Sequence, residues 1–236
     1  MKAVIAIAAT IMLAGCASNG LSSRPANCAK PGSDQELALN LADNMANEGR
    51  LYASLANLEG LPDNLVQVRL RKARVLRLMG RSEAGPLYQS LLGTCLAADG
   101  EHGLGQLAAE KNDNATAAAH LENAVKMDPT DDRMRNDLGV VYLNQRRIPE
   151  ARFEFMTAME LKQANTLAAL NMVTLLIYQD NWKAASELVT RADLSPKQFT
   201  EAQTRAEKLK ASAKKVVASE GNRRTEVADA SSSAIK

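Results

Sequence analysis

The sequence predicts an all-α fold, an α-solenoid of four to five helical hairpins with a C-terminal capping helix. Three observations carry that expectation. Ala and Leu supply 40 and 30 of the 236 residues, against 13 Gly and 7 Pro, so strong helix formers dominate. Small and large apolar residues recur every 34 positions through the second half of the chain. A further amphipathic stretch, polar on one side, follows the last recurrence. Lys plus Arg is 29 and Asp plus Glu is 27, a formal charge of +2, too even for an electrostatic nucleic-acid binder. One Trp, four Tyr and three Phe supply neither base-stacking platforms nor the aromatic strands of a β-sandwich.

Residues 1–15 read as a secretory signal peptide. Met1-Lys2 gives a basic start, Ala3 to Leu13 an apolar run, and Ala14-Gly15 small residues before a cut site. Fifteen helical residues span roughly 22 Å, short of the ~30 Å hydrocarbon core. Leu13-Ala14-Gly15-Cys16 resembles the bacterial lipobox. The resemblance implies cleavage after Gly15 and lipidation of Cys16, whose thiol is the acylation nucleophile. Ala17 in place of Asp implies sorting to the periplasmic side of the outer membrane. Residues 16–35, with Pro25, Pro31 and Gly32, are expected to form a lipid-anchored tether. No later segment is long and apolar enough to span, since Leu167 to Tyr178 is interrupted by Asn171 and Thr174.

Cys28 and Cys95 are an even pair in an oxidising compartment. They either form a disulfide that pins the N-terminal lead to the second hairpin or remain two thiols, with Cys95 as a small buried hydrophobe. A metal site is not expected: there is no Cys-x-x-Cys, and His102 and His120 lie far apart in sequence. No cofactor is expected either.

Residues 36–97 form two degenerate hairpins. In 36–62, Leu37, Leu41 and Met45 have helical spacing and Gly49-Arg50 makes a turn. In 65–97, Ala84, Tyr88 and Leu91 keep the pattern, but Lys72 falls where a glycine is expected. Residues 98–199 hold three regular units. Leu104-Gly105, Ala117 and Leu121 become Leu138-Gly139, Ala151 and Phe155 at a shift of 34, then Met172-Val173, Ala185 and Val189. Gly105, Ala117, Gly139, Ala151 and Ala185 are the packing positions, where a small side chain lets paired helices approach. Such units bury their apolar faces by stacking on one another. The pattern resembles the tetratricopeptide (TPR) repeat.

From Pro196 to about Ser219 an amphipathic helix follows, its capping part placed at 200–219, with Phe199, Ala202, Ala206 and Leu209 on one face. Residues 220–236 are small and polar and read as a disordered tail.

Nothing in this array carries catalysis, and the chain is not expected to be an enzyme. No nucleophile elbow, phosphate loop or zinc-protease motif occurs. His120 is placed on the surface. The basic run Arg69 to Arg77 is either a solvated face or a patch for an acidic partner. The TPR resemblance implies a concave groove lined by first-helix positions. Here these include Arg69, Arg77, His102, Asn136, Val140, Leu143, Asn144, Leu170, Thr174, Ile177 and Tyr178. Val140, Leu143, Leu170, Ile177 and Tyr178 form an apolar stripe. It suits a partner segment unless the capping helix or tail covers it.

A closer resemblance rests on the lipobox, on Asn136-Asp137-Leu138-Gly139-Val140-Val141-Tyr142-Leu143-Asn144, and on the stretch from Glu150 to Glu160. With Asn171 to Leu176 these look like the TadD family, TPR lipoproteins of tight-adherence (Flp) pilus systems. The resemblance spans about 98–195. It implies an outer-membrane adaptor that helps a secretin localise or multimerise, with a secretin or another pilus-assembly protein as partner, no nucleic acid, and an oligomeric state left open. The competing readings are a type IV pilus secretin pilotin and an envelope scaffold that docks peptidoglycan hydrolases or proteases.

Overall fold

The computed structural model describes residues 28–163 and 166–213. The expected signal peptide, Cys16, the residues up to 27, the expected end of the capping helix and the expected tail lie outside the described residues. Ten helices pair into five hairpins: α1 (Ser33–Asn47) with α2 (Leu51–Glu59), α3 (Val66–Leu78) with α4 (Ala84–Gln89), and α5 (Ala97–Glu110) with α6 (Asn114–Met127). They continue with α7 (Asp132–Asn144) and α8 (Ile148–Leu161), then α9 (Thr166–Tyr178) and α10 (Trp182–Arg191). A last helix, α11, covers 196–213 in the described part. The TPR-type all-α solenoid expected from the sequence is the fold observed, and no strand occurs among the described residues.

Each first helix ends the same way. Gly49, Gly80, Asn112, Arg146 and Asp180 take positive φ. The following N–H then bonds back to the carbonyl of Met45, Leu76, Ala108, Tyr142 or Leu176 at 2.8–3.0 Å. Glycine, Asn and Asp tolerate this left-handed turn. Arg146 is the exception, and its guanidinium is held by the carbonyls of Leu143, Asn144 and Leu209.

These turns fix a register that differs from the expected one in the second hairpin. Counting seven residues back from Gly80 puts Ala73, fully buried, at the small position. Lys72, its side chain mostly covered, pairs instead with the exposed Asp63. The turn before α4 is shorter than in later units, which shifted Ala84 against the first helix. The first hairpin keeps the regular spacing: Ala42, Ser54 and Leu58 are buried where Gly105, Ala117 and Leu121 stand later. Ser54 Oγ also donates to the Ala42 carbonyl at 2.7 Å.

The small positions are sterically required. A Cβ on Gly105 would lie 2.6 Å from Leu121, and one on Gly139 would lie 2.6 Å from the Phe155 ring. Leu121 and Phe155 are themselves buried, so neither can swing away. Ala117, Ala151 and Ala185 are likewise fully buried on the second helices. Gly100 and Gly103 do the same work between units: a Cβ on Gly103 would sit 2.1 Å from the Tyr88 ring. Sequence reasoning passed over this pair, although two extra glycines inside one helix were the available signal.

At the C-terminal end, Ser195 and Gln198 make a reciprocal capping box that starts α11, with Pro196 in its first turn. Ala202 and Ala206 of α11 are fully buried against the last hairpins. At the other end, Cys28 and Cys95 are joined in a disulfide that closes 67 residues. Gln67 adds a hydrogen bond to the Ala29 carbonyl. The lead is thereby fixed to the α4–α5 junction.

Gly139→Leu is expected to destabilise the array by about 1–3 kcal/mol through overpacking against Phe155, read as a lower urea midpoint at unchanged slope. Cys95→Ser should cost about 2–4 kcal/mol by freeing the closed segment in the unfolded state, and a reducing agent should lower the melting temperature of the wild type only.

Candidate functional site

The first helices line the inner face of the array, and the structure divides that face in two. Its C-terminal half is filled by α11. Leu143, Leu170, Thr174 and Ile177, expected to be exposed to a partner, are buried instead. The C-terminal part of the apolar stripe is therefore covered by the capping helix, while Val140 faces the open half. Tyr178 is half-buried, with the Arg146 guanidinium 5.4 Å from its ring centre. Arg146 continues to the α11 backbone at Leu209 and to Ser212, at 2.7 and 2.6 Å. Lys210 of α11 pairs with Asp180.

Two further groove candidates, His102 and Asn136, are also buried and serve an internal hydrogen-bond ladder. His102 Nε2 meets Asp137 Oδ2 at 2.7 Å, and Gln106 donates to the same oxygen at 2.8 Å. Asn136 donates to Asp137 Oδ1, Asn171 donates to Asn136, and Arg205 donates to Asn171. The ladder thus crosses α5, α7, α9 and α11 without a break. Burial pushes the Asp137 carboxyl up, but the His102 imidazole and the amides of Gln106 and Asn136 outweigh it and hold it below the ordinary carboxylate value.

The N-terminal half stays open. A recess of about 490 Å³ is lined by Asp43, Arg71, Arg74, Arg77, His102, Gln106, Arg133 and Asp137, with Leu78 and Leu167 at its edges. A smaller recess of about 190 Å³ shares Arg77, Gln106 and Asp137 with it and reaches Val140. Together they make one channel across α1, α3, α5 and α7, charged along the larger recess and mainly apolar in the smaller one, where Ala109, Leu121, Val140 and Val141 line it. The basic run of α3 faces this channel in part, and neighbouring helices supply its acids. Arg71 pairs with Asp43 at 2.8 Å, Arg74 with Asp99 at 2.6 Å, and Arg77 with Glu110 at 2.6 Å. So the run is neither a bare solvated face nor a free basic patch.

Two expected groove residues lie elsewhere. Arg69 turns toward α4 and donates to the Ser90 carbonyl, and Asn144 is exposed beside Asn114. His120 is partly exposed and bonds Glu101 at 2.6 Å. Among the described residues no group of three or more His, Cys, Asp or Glu is placed to hold a metal, and no helix is long and apolar enough to cross a membrane. What the channel can do chemically is grip a polar chain with guanidinium, amide and carboxylate groups.

A tetratricopeptide repeat family model matches residues 102–166. The TPR repeat-containing protein PA4299 of Pseudomonas aeruginosa is 42% identical over 208 residues, which is 87% of this chain and 85% of its own. Among solved structures, Pseudomonas aeruginosa pilF superposes with a TM-score of 0.58 at 16% identity, over 77% of this chain and 90% of its own. YrrB, a TPR protein with an unusual peptide-binding site, superposes with a TM-score of 0.50 at 20% identity, over 71% and 90%. At these identities the two structures share the fold with this chain.

Asp137→Asn removes the charge at the centre of the ladder and is expected to cost about 1–3 kcal/mol near neutral pH. Because the folded carboxyl titrates below its unfolded value of about 3.9, its contribution is complete above that pH and is lost as the pH falls through the folded value. Urea titrations should therefore show the two proteins differing most near pH 7 and converging below about pH 4.

Proposed function

The chain belongs to the tetratricopeptide repeat family, and from that premise we propose that it is a non-catalytic adaptor of pilus assembly. It is lipid-anchored through Cys16 on the periplasmic side of the outer membrane. It holds a segment of a secretin in its inner channel and so helps that secretin localise or multimerise. The observation that carries the reading is the open channel over α1, α3, α5 and α7, joined to an N-terminal lead that begins with a lipobox. A channel of paired charges and amides suits an extended, polar segment. The peptide-binding site named for YrrB shows that a related fold can serve that purpose. The likeness of residues 98–195 to TadD lipoproteins supports the pilus assignment.

The lead has a mechanical part in this reading. Eleven residues, and so twelve Cα–Cα steps, separate Cys16 from Cys28. Fully extended they reach ~40 Å, so the disulfide keeps the array close to the membrane where secretin subunits arrive. Several acyl chains at ~0.8 kcal/mol per buried methylene would make that attachment stable.

The test counts heat-resistant secretin multimers in detergent-solubilised membranes of cells with and without this gene. Deletion is expected to deplete the multimers of one secretin, the wild-type gene to restore them, and Cys16→Ser to fail. Normal multimers together with normal pili in the deleted strain would overturn the proposal in favour of a general envelope scaffold. A membrane-bound, fully active Cys16→Ser protein would refute the anchor.

A further inference from the structure

The outer face of the array is sealed between α6 and α8 and open between α8 and α10, and the difference can be traced residue by residue. In the sealed interval Tyr142 donates to Glu122 at 2.8 Å. Arg147 lies 4.0 Å over the Tyr142 ring and pairs with both Glu122 and Glu150. Below them Arg135 pairs with Glu154 at 3.0 Å. The Tyr142 hydroxyl is pushed up to about 12 by burial and by the Glu122 carboxylate, as a hydroxyl locked into donation should be. This network bridges the two second helices and fills the space between them.

One repeat later, 34 residues on, every member is replaced. Glu122, Tyr142 and Glu150 become Met156, Leu176 and Ala184, while Arg135 and Glu154 become Ala169 and Leu188. Arg147 becomes Asn181. The polar plug is gone, and a groove of about 580 Å³ opens in its place, with Met156, Met159 and Leu188 in its walls and Met172 and Leu176 in its floor. Met156 is 47% exposed. Unbranched thioether side chains between two helices are an adaptable receptor for an apolar helix face.

The same chain carries such a face. Helix α1 is the first helix among the described residues, and its outward leucines are uncovered: Leu37 is 71% and Leu41 43% exposed. They are four residues apart, the spacing of neighbours on one helix face. The helix contains Asp34, Glu36 and Asp43 and no basic residue. The groove has Arg152 at its N-terminal end, while Glu160 and Arg191 share the other end and Glu187 lies between. Entry with α1 parallel to α8 sets the acidic first turn beside Arg152 and away from Glu160.

We propose that the methionine-lined groove between α8 and α10 receives the Leu37–Leu41 face of α1 from a second copy of this chain. The contact is head-to-tail, joining two different patches, so it extends into open rows or closes into rings rather than pairing one patch with itself.

The test uses full-length protein in its own membranes. Two differently tagged copies are co-produced, one with Leu41→Cys and the other with Met156→Cys, and mild oxidation is applied. A mixed disulfide-linked dimer is expected. Leu41→Cys paired with Asn123→Cys, an exposed site on α6, should give at least several-fold less. Arg152→Glu on the groove copy should lower the yield several-fold, and Asp34→Arg with Glu36→Arg on the other copy should restore it. No mixed dimer, equal dimer at Asn123→Cys, or capture of a different protein by Met156→Cys would each overturn the assignment.

Discussion

The structure depends on how closely the two helices of each hairpin approach. In four of the five hairpins one position on the first helix, Ala or Gly, faces one larger residue on the second. The first helix offers Ala42, Ala73, Gly105, Gly139 and Val173, and the large partners begin with Leu58, Tyr88, Leu121 and Phe155. Where the first position is glycine the partner is Leu121 or Phe155, and where it is Val173 the matching residue is only Val189. In the Val173 hairpin a larger first residue is matched by a smaller second one, as close-packed interiors require, since they tolerate neither added methylenes nor voids. Once this distance is set, the left-handed residue at the end of each first helix aims the returning helix of the hairpin. The outer faces can then be buried only by the next unit. Five hairpins follow from one steric rule, and the array stops where a helix arrives that is apolar on one side.

That terminating helix decides what the inner face is for. A solenoid of this kind would leave Leu143, Leu170 and Ile177 bare at its C-terminal end, and α11 covers them. Apolar contact alone would let α11 slide, because Ala202 and Ala206 offer little shape. The ladder from His102 through Asp137, Asn136 and Asn171 to Arg205 supplies register. Its members are buried or nearly so, and an unpaired buried amide costs about 1–3 kcal/mol, so a slipped α11 would be penalised at Asn171 and Arg205 together. The same ladder forms the floor of the open half, where Asp137 and Gln106 face the channel. Under the proposed function, a segment seated in the channel would therefore touch the same network that holds α11.

Much of this architecture was legible in the sequence, because its cause is local and periodic. The spacing of Ala117, Ala151 and Ala185 and the recurrence of Gly105 at Gly139 report helix approach directly. The register of the second hairpin was not legible, because its turn before α4 is shorter, and a fixed period placed Lys72 where Ala73 packs. The groove was read only in part. Family positions identified inward-facing residues correctly at Arg77, but facing inward is not the same as being exposed. His102, Asn136 and Thr174 face inward and are buried by partners that come from 34 or 35 residues away or from α11. Pairing of that range leaves no local signature. The disulfide stayed open in the sequence for the same reason, since two cysteines fix a parity and not a distance.

The ends of the array are treated unequally, and the disulfide shows why that matters. An uncapped helix at either end is an exposed apolar face, and α11 removes one of the two. The lead could have removed the other by folding back over α1. Instead Cys28 is bonded to Cys95, and Gln67 holds Ala29, so the described residues just before α1 are held at the α4–α5 junction. In the proposed lipid-anchored state the pull of the membrane then enters the array near its middle, and α1 bears none of it. The face carrying Leu37 and Leu41 is left both uncovered and unloaded. Exposed apolar side chains scattered singly need no explanation, but a leucine pair on an otherwise acidic helix, together with a groove emptied of six bridging residues in the same chain, is a matched set. In the proposed head-to-tail contact, having both features at once would let a tethered copy be joined at either end while its inner channel stays open.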